Sequence, residues 1–187
     1  MNYLSLFSGA GGGDIAFDII LKHRCVGFIE YDKYCQDVLR QRQEDGLLSV
    51  APIFSDIREF NREYASAYTG MVDLITAGFP CQPFSVAGKQ QGKDDSRNMW
   101  PQTIETIRII KPEYAFLENV PGLLSSKSGL DEITGRPISY CATIFRDLAE
   151  AGYDARWTVL GADDVGARHR RKRLWILAYA TTKRLEG

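Results

Sequence analysis

The sequence has few cysteines, no excess of positive charge and no long apolar run. Its four cysteines, at positions 25, 35, 81 and 141, lack the CxxC or Cys/His spacing of a zinc site, and a chain of 187 residues is too long for a disulfide scaffold. No window approaches the roughly 18 apolar residues that a membrane span requires, and the N-terminus lacks the pattern of a signal peptide. We therefore expect a cytosolic (cytoplasmic) protein with reduced thiols, no metal and no membrane segment.

The charge balance is close to neutral. Lys and Arg total 23 against 24 Asp and Glu, which gives a formal net charge of -1. Because nucleic-acid-binding domains are usually basic, any contact with nucleic acid needs positive charge that is concentrated locally. The run Ala167–Leu174 has five basic side chains and His169. Such runs are commonly just solvated, so this one decides nothing by itself.

Short apolar runs alternate with longer amphipathic stretches, which is typical of βαβ units. The pattern predicts strands at 3–6, 25–29, 51–54, 72–76 and 114–117, helices at 14–22, 33–43, about 100–111 and 138–150, and a final hairpin of strands at 156–160 and 174–178. We expect a Gly/Ser-rich loop at 125–135 and a helix end at Gly152. The predicted fold class is α/β, with a mostly parallel doubly wound sheet and a terminal antiparallel hairpin.

Three candidate binding elements follow the first three predicted strands. The glycine-rich turn FSGAGGGD, Phe7–Asp14, lets a ligand approach the backbone, although an ordinary tight turn or a dinucleotide fold fits it equally well. Glu30 and Tyr31 offer a carboxylate for ribose hydroxyls and a ring for a purine, or merely a solvated acid and a packing residue. Asp56 can accept a hydrogen bond from an exocyclic amine or cap the next helix.

The segment GFPCQPFS, Gly78–Ser85, places a cysteine between prolines directly after a predicted strand. The thiolate is the attacking form of cysteine, and only a few per cent of an ordinary thiol is ionised at neutral pH. Cys25, Cys35 and Cys141 are expected to be small buried apolar residues, whereas Cys81 is a candidate nucleophile. Glu118 closes the next strand and offers an acid for catalysis on a heterocycle, with a helix or turn cap as the alternative.

In this order, the motifs resemble those of the cytosine-5 DNA methyltransferase family, from about Leu4 to Ala178. The resemblance implies a Rossmann-like, S-adenosylmethionine-dependent methyltransferase fold. It also implies DNA as the substrate, a target base flipped out of the duplex, and restriction-modification as one biological setting. Residues implied in cofactor binding are Phe7, Ser8, Gly9, Gly11, Gly12, Glu30, Tyr31, Asp56, Ile57 and Pro80.

The resemblance also implies catalytic roles. Cys81 would attack C6 of cytosine while Glu118 hydrogen-bonds N3 and the exocyclic amine. Arg173 would contact the cytosine O2, with Arg171 supporting the site. The segment Gln82–Trp100 would close over the substrate, and the residues expected near DNA are Ser85, Arg97 and Asn119.

Two departures from the family pattern affect these expectations. His169 stands where relatives usually have glutamine, and Arg168 where proline is common. In addition, only Thr181–Gly187 follow the last predicted strand, where the family continues with a target-recognition domain and a returning helix. We therefore expect residues 1–187 to be one catalytic domain that is either truncated or completed by a second polypeptide that supplies target recognition. The alternatives are an incomplete module that binds cofactor or a partner, and an RNA cytosine methyltransferase.

Overall fold

The computed structural model describes residues 1–80, 98–130, 135 and 137–183. Its elements, in chain order, are β1 (Asn2–Leu6), α1 (Gly12–Ile15), β2 (Arg24–Ile29), α2 (Lys33–Glu44), β3 (Ile53–Phe54), α3 (Ile57–Glu63), β4 (Leu74–Ala77), α4 (Trp100–Ile110), β5 (Tyr114–Asn119), β6 (Lys127–Leu130), β7 (Pro137–Ser139), α5 (Tyr140–Glu150), β8 (Tyr153–Leu160) and β9 (Arg173–Ala180). Across these described ranges, no helix is long and apolar enough to cross a bilayer. The cytosolic location stays a prediction.

Seven strands form the main sheet, in the order β3-β2-β1-β4-β5-β9-β8. β1 pairs in parallel with β2 and β4, and β2 pairs in parallel with β3. β8 and β9 pair antiparallel from Tyr153↔Ala180 to Leu160↔Arg173. These pairings confirm the predicted α/β class, including its terminal antiparallel hairpin.

Some predicted elements were wrong in detail. The helix expected at 14–22 is a four-residue α1 followed by a π-helical turn at Ala16–Ile20. The expected loop at 125–135 contains β6, which pairs antiparallel with β7. Because Gly and Ser disfavour strands, such a short backbone pairing leaves little sequence signal.

The chain divides into two compact units. The first comprises Met1–Gly78 and Gln102–Phe116, and the second comprises Phe79–Pro101 and Leu117–Gly187. β5 begins in the first unit and ends in the second. The expectation of a single domain over 1–187 stays a prediction.

The core of the first unit is apolar and aromatic. Its fully enclosed members are each at most 4% exposed: Tyr3, Cys25, Phe28, Leu39, Leu48 and Leu74. Phe17 packs against this cluster and meets the ring of Phe116 edge to face, with 5.8 Å between centroids. The predicted burial of Cys25 is confirmed, and burial raises the pKa of its thiol. Cys35, in contrast, is only half-buried because it lies in the first turn of α2.

In the second unit, α5 packs its apolar face inward. Ser139 caps the helix by accepting a hydrogen bond from the Ala142 amide at 3.2 Å. Cys141 is buried, as predicted, and Gly152 takes the expected left-handed conformation just past the helix end, at φ 87°. The Trp100 indole donates to the Asp147 carboxylate at 2.8 Å. The end of the helix is therefore tied to the start of α4 by a polar contact.

Gly11 generates a stability prediction, because a side chain there has no room. Its φ is +74°, and an added Cβ would lie 2.9 Å from both Leu39 Cδ2 and Leu48 Cδ1. We expect Gly11→Ala to lower the free energy of unfolding by about 2–4 kcal/mol, from left-handed strain and overpacking together. Denaturant titration measures this change.

Gly13→Ala is the matched control, since an added Cβ at Gly13 meets nothing within 4 Å and the residue lies in α1. This variant should change stability by less than about 1 kcal/mol. Equal effects of the two substitutions would contradict the steric explanation.

Candidate active site

The glycine-rich turn begins with a strained residue. Phe7 has a positive φ of 56°, which non-glycine residues rarely adopt. Its amide donates to the Ile29 carbonyl at 2.8 Å, so the end of β2 holds it in place. Gly9 and Gly11 then turn the chain into α1 with φ values of 55° and 74°. The turn thus presents backbone rather than side chains beyond the end of β1.

Glu30 links this turn to the end of β2. One carboxylate oxygen, Oε2, accepts from the Gly9 amide at 2.6 Å, and the other, Oε1, accepts from the Asp32 amide at 2.8 Å. Hydrogen bonds to a charged acceptor are about twice as strong as neutral ones. Each carboxylate oxygen has two acceptor positions, so Glu30 can still receive hydroxyl donors from a ligand.

The first unit brings the predicted cofactor residues to one edge of the sheet. Leu6 pairs with Ile29, and Ile29 pairs with Phe54, so β1, β2 and β3 end side by side. The residues that follow these ends are the predicted binding residues Phe7, Ser8, Gly9, Glu30, Tyr31 and Asp56. This edge is where ligands bind in open parallel sheets.

The side chain of Tyr31 is free to meet a ligand, whereas that of Asp56 already accepts a hydrogen bond within the protein. Tyr31 is 81% exposed, so the face of its ring is open to a ligand. Asp56 caps α3 by accepting from the Arg58 amide at 2.8 Å, which confirms the capping alternative. Ile57 is buried at 4% exposure. A contact of Asp56 with an adenine amine stays a prediction.

Sequence reasoning missed the buried carboxyl of Asp14 at the end of the glycine-rich turn. Asp14 is only 3% exposed, and its backbone carbonyl accepts from the Tyr3 hydroxyl at 3.3 Å. Burial raises the pKa of Asp14 to about 6, although hydrogen bonds with Ser5 and Tyr3 favour the charged form. The one sequence signal was an acid in the first turn of a helix. Among the residues placed by the structure, no group of His, Cys, Asp and Glu could hold a metal ion.

The second unit joins two of the predicted catalytic residues. Glu118 and Arg173 form an ion pair between Oε1 and Nε, with the two side chains 31% and 20% exposed. Glu118 lies near the end of β5 and Arg173 begins β9. The pairing therefore presents a fixed carboxylate beside a guanidinium. Arg171, two residues earlier, is exposed.

Asn119 has a structural role that the sequence did not reveal. Its side chain is buried, its Nδ2 donates to the Phe79 carbonyl at 3.1 Å, and its Oδ1 accepts from the Val120 amide at 2.8 Å. Phe79 lies two residues before Cys81, and the exposed Pro80 stands between them. The end of β5 is thus bound to the segment that leads into Cys81. The DNA contact expected of Asn119 stays a prediction.

Three predicted residues, Cys81, Ser85 and Arg97, lie outside the described residues, and their roles stay predictions. The described chain resumes at Asn98, which is buried. Its side-chain oxygen accepts from the Tyr140 hydroxyl at 2.8 Å and from the Trp100 amide at 3.2 Å. These contacts fix the chain where it leaves the segment 81–97.

Comparison with known proteins gives consistent matches in sequence. A family model described as C-5 cytosine-specific DNA methylase matches residues 1–186. The type II methyltransferase M.NgoMIV of Neisseria gonorrhoeae is 34% identical over 176 residues, which cover 94% of this chain and 50% of that protein. The type II methyltransferase M.AquIA of Picosynechococcus is 33% identical over 182 residues, which cover 93% of this chain and 70% of that protein.

Solved structures share the fold. DNMT2 of Spodoptera frugiperda, crystallised as a triple mutant, matches with a TM-score of 0.74 at 20% identity and covers 100% of this chain and 52% of its own. The methyltransferase EhMeth of Entamoeba histolytica matches with a TM-score of 0.70 at 19% identity, covering 100% and 55%. These likenesses confirm the predicted Rossmann-like fold. The chain spans about half the length of several curated relatives that it matches, at 50% and 49% for two of them.

The buried Asp14 predicts a dependence of stability on pH. Its pKa is about 6 in the folded protein, against the ordinary value of 3.8, so between those values the native state binds more protons than the unfolded state. Stability from this group is therefore present below about pH 4 and is lost as the pH rises to about 6. We expect Asp14→Asn to abolish this pH-dependent decrease in the free energy of unfolding, which is about 3 kcal/mol at most.

Urea unfolding at several pH values from 4 to 7 measures the effect as the difference between wild type and Asp14→Asn. Glu44→Gln, which replaces an exposed carboxylate on α2, serves as the control and should follow the wild-type curve. A wild-type minus Asp14→Asn difference that stays constant with pH would refute this assignment.

Proposed function

Because this chain belongs to the C-5 cytosine-specific DNA methylase family, we propose that it is the catalytic portion of an enzyme that methylates C5 of cytosine in DNA. The observation that carries the proposal is the hydrogen bond from Asn119 to the Phe79 carbonyl. It joins the residue next to Glu118 to a residue two positions before Cys81. This contact supports a site in which the thiol and the carboxyl act on the same base.

The first unit provides the features that a nucleoside-containing methyl donor requires. Gly9 has open space where a side chain would lie, so a ligand can approach the turn closely. Glu30 retains acceptor capacity for ribose hydroxyls, and the exposed Tyr31 ring can stack on adenine. Bound S-adenosylmethionine would supply an electrophilic methyl group at this edge of the sheet.

In the proposed reaction, the Cys81 thiolate forms a bond to C6 of cytosine, and the electron pair of the 5,6 double bond moves toward C5 and the ring. A proton on the Glu118 carboxyl is donated to N3 while the other carboxyl oxygen accepts from the exocyclic amine, which stabilises the negative charge that the attack pushes into the ring. Arg173, which pairs with Glu118, donates to the cytosine O2. C5 would then bond to the methyl group as the S–CH3 bond of the donor breaks and its sulfonium becomes a neutral thioether. C5 afterwards loses its proton to a base, and the electron pair of that C–H bond re-forms the 5,6 double bond as Cys81 leaves as a thiolate.

This chemistry requires the target cytosine outside the duplex, because the face of a stacked base is inaccessible. Flipping costs a few kcal/mol, which contacts with DNA must offset. The chain spans about half the length of relatives such as M.NgoMIV. We therefore propose that a further polypeptide region, in the same or another chain, supplies target recognition.

Covalent trapping tests the proposed mechanism. We expect the wild-type chain with S-adenosylmethionine to form a stable adduct on DNA that contains 5-fluorocytosine, because fluorine at C5 blocks the final elimination. Cys81→Ser should reduce adduct formation at least 100-fold, whereas Cys35→Ser, at a half-buried position in α2, should not. Denaturing gels quantify the adduct, with the chain alone and with the remaining portion of a type II relative.

An RNA oligonucleotide of the same sequence is the second substrate in that experiment. Adducts on RNA alone would replace DNA by RNA as the substrate. Absence of any adduct under every combination would refute methyl transfer by this chain and leave a module that binds without turnover.

Cofactor binding is tested separately by calorimetry with S-adenosylhomocysteine. Glu30→Gln removes the charge that holds the Gly9 amide, so we expect at least a tenfold weaker affinity, or about 1.4 kcal/mol. Glu44→Gln is the matched control on the exposed side of α2 and should bind like wild type. Unchanged binding by Glu30→Gln would contradict the assigned cofactor edge.

A further inference from the structure

We propose that three cations outside the predicted catalytic set, Arg168, Arg170 and Lys172, dock the phosphodiester backbone of DNA. These residues are called the basic strip below. The inference rests on the proposed function and adds a partner-contacting surface to it. Within this run, the family resemblance implies catalytic roles for Arg171 and Arg173 alone.

The basic strip is exposed. All three residues are exposed and precede β9 in an irregular segment. Two of them, Arg170 and Lys172, line an open, shallow depression together with His169, Arg171 and Arg173. Within the described part of the chain, no acidic side chain lines that depression. A shallow surface on which four of the five lining side chains are Arg or Lys favours binding of a polyanion.

Among the described residues of the second unit, no ion pair neutralises the charge of the basic strip. Among the residues placed by the structure, the ion pairs of the second unit are made by Arg146 and by Arg173, and none by a residue of the strip. Asp163 and Asp164 lie nearby, and an added Cβ at Gly161 would meet both Asp163 Oδ1 and Lys172 Cγ. Neither acid forms a salt bridge with the strip among the described residues, and the Asp164 carboxylate accepts from the Gly161 amide at 2.7 Å. The strip therefore keeps its charge available in a chain whose formal net charge is -1.

The position of the basic strip relates it to the proposed reaction. The strip leads directly into Arg173, whose guanidinium pairs with Glu118. A DNA backbone held by the strip would therefore run next to the residues proposed to act on the flipped base. Contacts to phosphates fix the register and orientation of a protein on DNA without reading sequence. The basic strip can orient the DNA in this way by itself, because phosphate contacts do not require a target-recognition region.

The experiment measures binding of the chain to a fluorescent DNA duplex of arbitrary sequence, and to an RNA duplex of the same sequence, by anisotropy at several salt concentrations. Each phosphate contact on B-DNA contributes about -0.9 to the slope of log affinity against log salt. Replacing the strip by Arg168→Gln, Arg170→Gln and Lys172→Gln should make that slope shallower by up to about 2.7 and weaken binding at least tenfold near 0.1 M salt.

The matched control removes the same charge elsewhere. Lys22, Arg24 and Lys111 are exposed residues of the first unit, and their replacement by Gln should leave slope and affinity within twofold of wild type. The charge-preserving set Arg168→Lys, Arg170→Lys and Lys172→Arg should restore binding. Thermal unfolding of every variant verifies that the fold is retained.

Each outcome decides the inference. A loss on duplex DNA that exceeds the loss in the control set supports the docking surface, whether or not RNA binding also falls. Equal losses in the two sets, a loss on RNA alone, or no measurable wild-type binding at low salt would overturn it. Calorimetry with S-adenosylhomocysteine separates the two proposals, because the strip variant should bind this ligand like wild type even if docking fails. If the wild-type chain itself does not bind S-adenosylhomocysteine, the proposed function is refuted instead.

Discussion

The double acceptance by the Glu30 carboxylate is the interaction on which the first unit's site depends. Without it, the amides of Gly9 and Asp32 would lose their charged acceptor, and the glycine-rich turn would be tied to β2 by the Ile29 carbonyl contacts. Phe7 holds a conformation that costs about 1–3 kcal/mol and persists only where its surroundings determine it. The conformation of the turn is thus stabilised by contacts with the end of β2 and does not depend on its glycines alone.

In the second unit, too, polar side chains at the end of a strand are held by specific contacts, here an ion pair and a hydrogen bond to a backbone carbonyl. A charged side chain at a strand end, Glu118, is held by a single guanidinium, while its neighbour Asn119 binds a backbone carbonyl 40 residues away. Asn119 thus anchors the chain through its hydrogen bond, while the neighbouring Glu118 side chain keeps its ion pair with Arg173. Rigid support of this kind is what catalytic geometry requires.

The fold was largely predictable from the sequence because its strands are strongly apolar and its helices have clear boundaries. β2, α2 and β5 were found by periodicity, and the end of α5 by Gly152. The predictions failed for two helices, α1 and α3. Glycines and the π-helical turn shortened α1, and the seven-residue α3 was missed although its cap, Asp56, had been identified.

The candidate site was predictable only in part. The residues after β1, β2 and β3 lie together because parallel strands end at the same edge, which the sequence pattern implies. The bond from Asn119 to Phe79 and the burial of Asp14 arise from tertiary packing, which no local pattern encodes. The assignments of Cys81, Ser85 and Arg97 remain predictions from resemblance.

β8 stands at the end of the strand order and pairs with β9 along one side. An outermost strand of this kind is a template for association with another chain. Trp157, at 52% exposure, adds an apolar surface to it, whereas Asp154 and Arg156 place exposed charges of both signs along it. Charges on an outermost strand disfavour edge-to-edge pairing with another chain, so we expect apolar residues at these two positions to lower solubility.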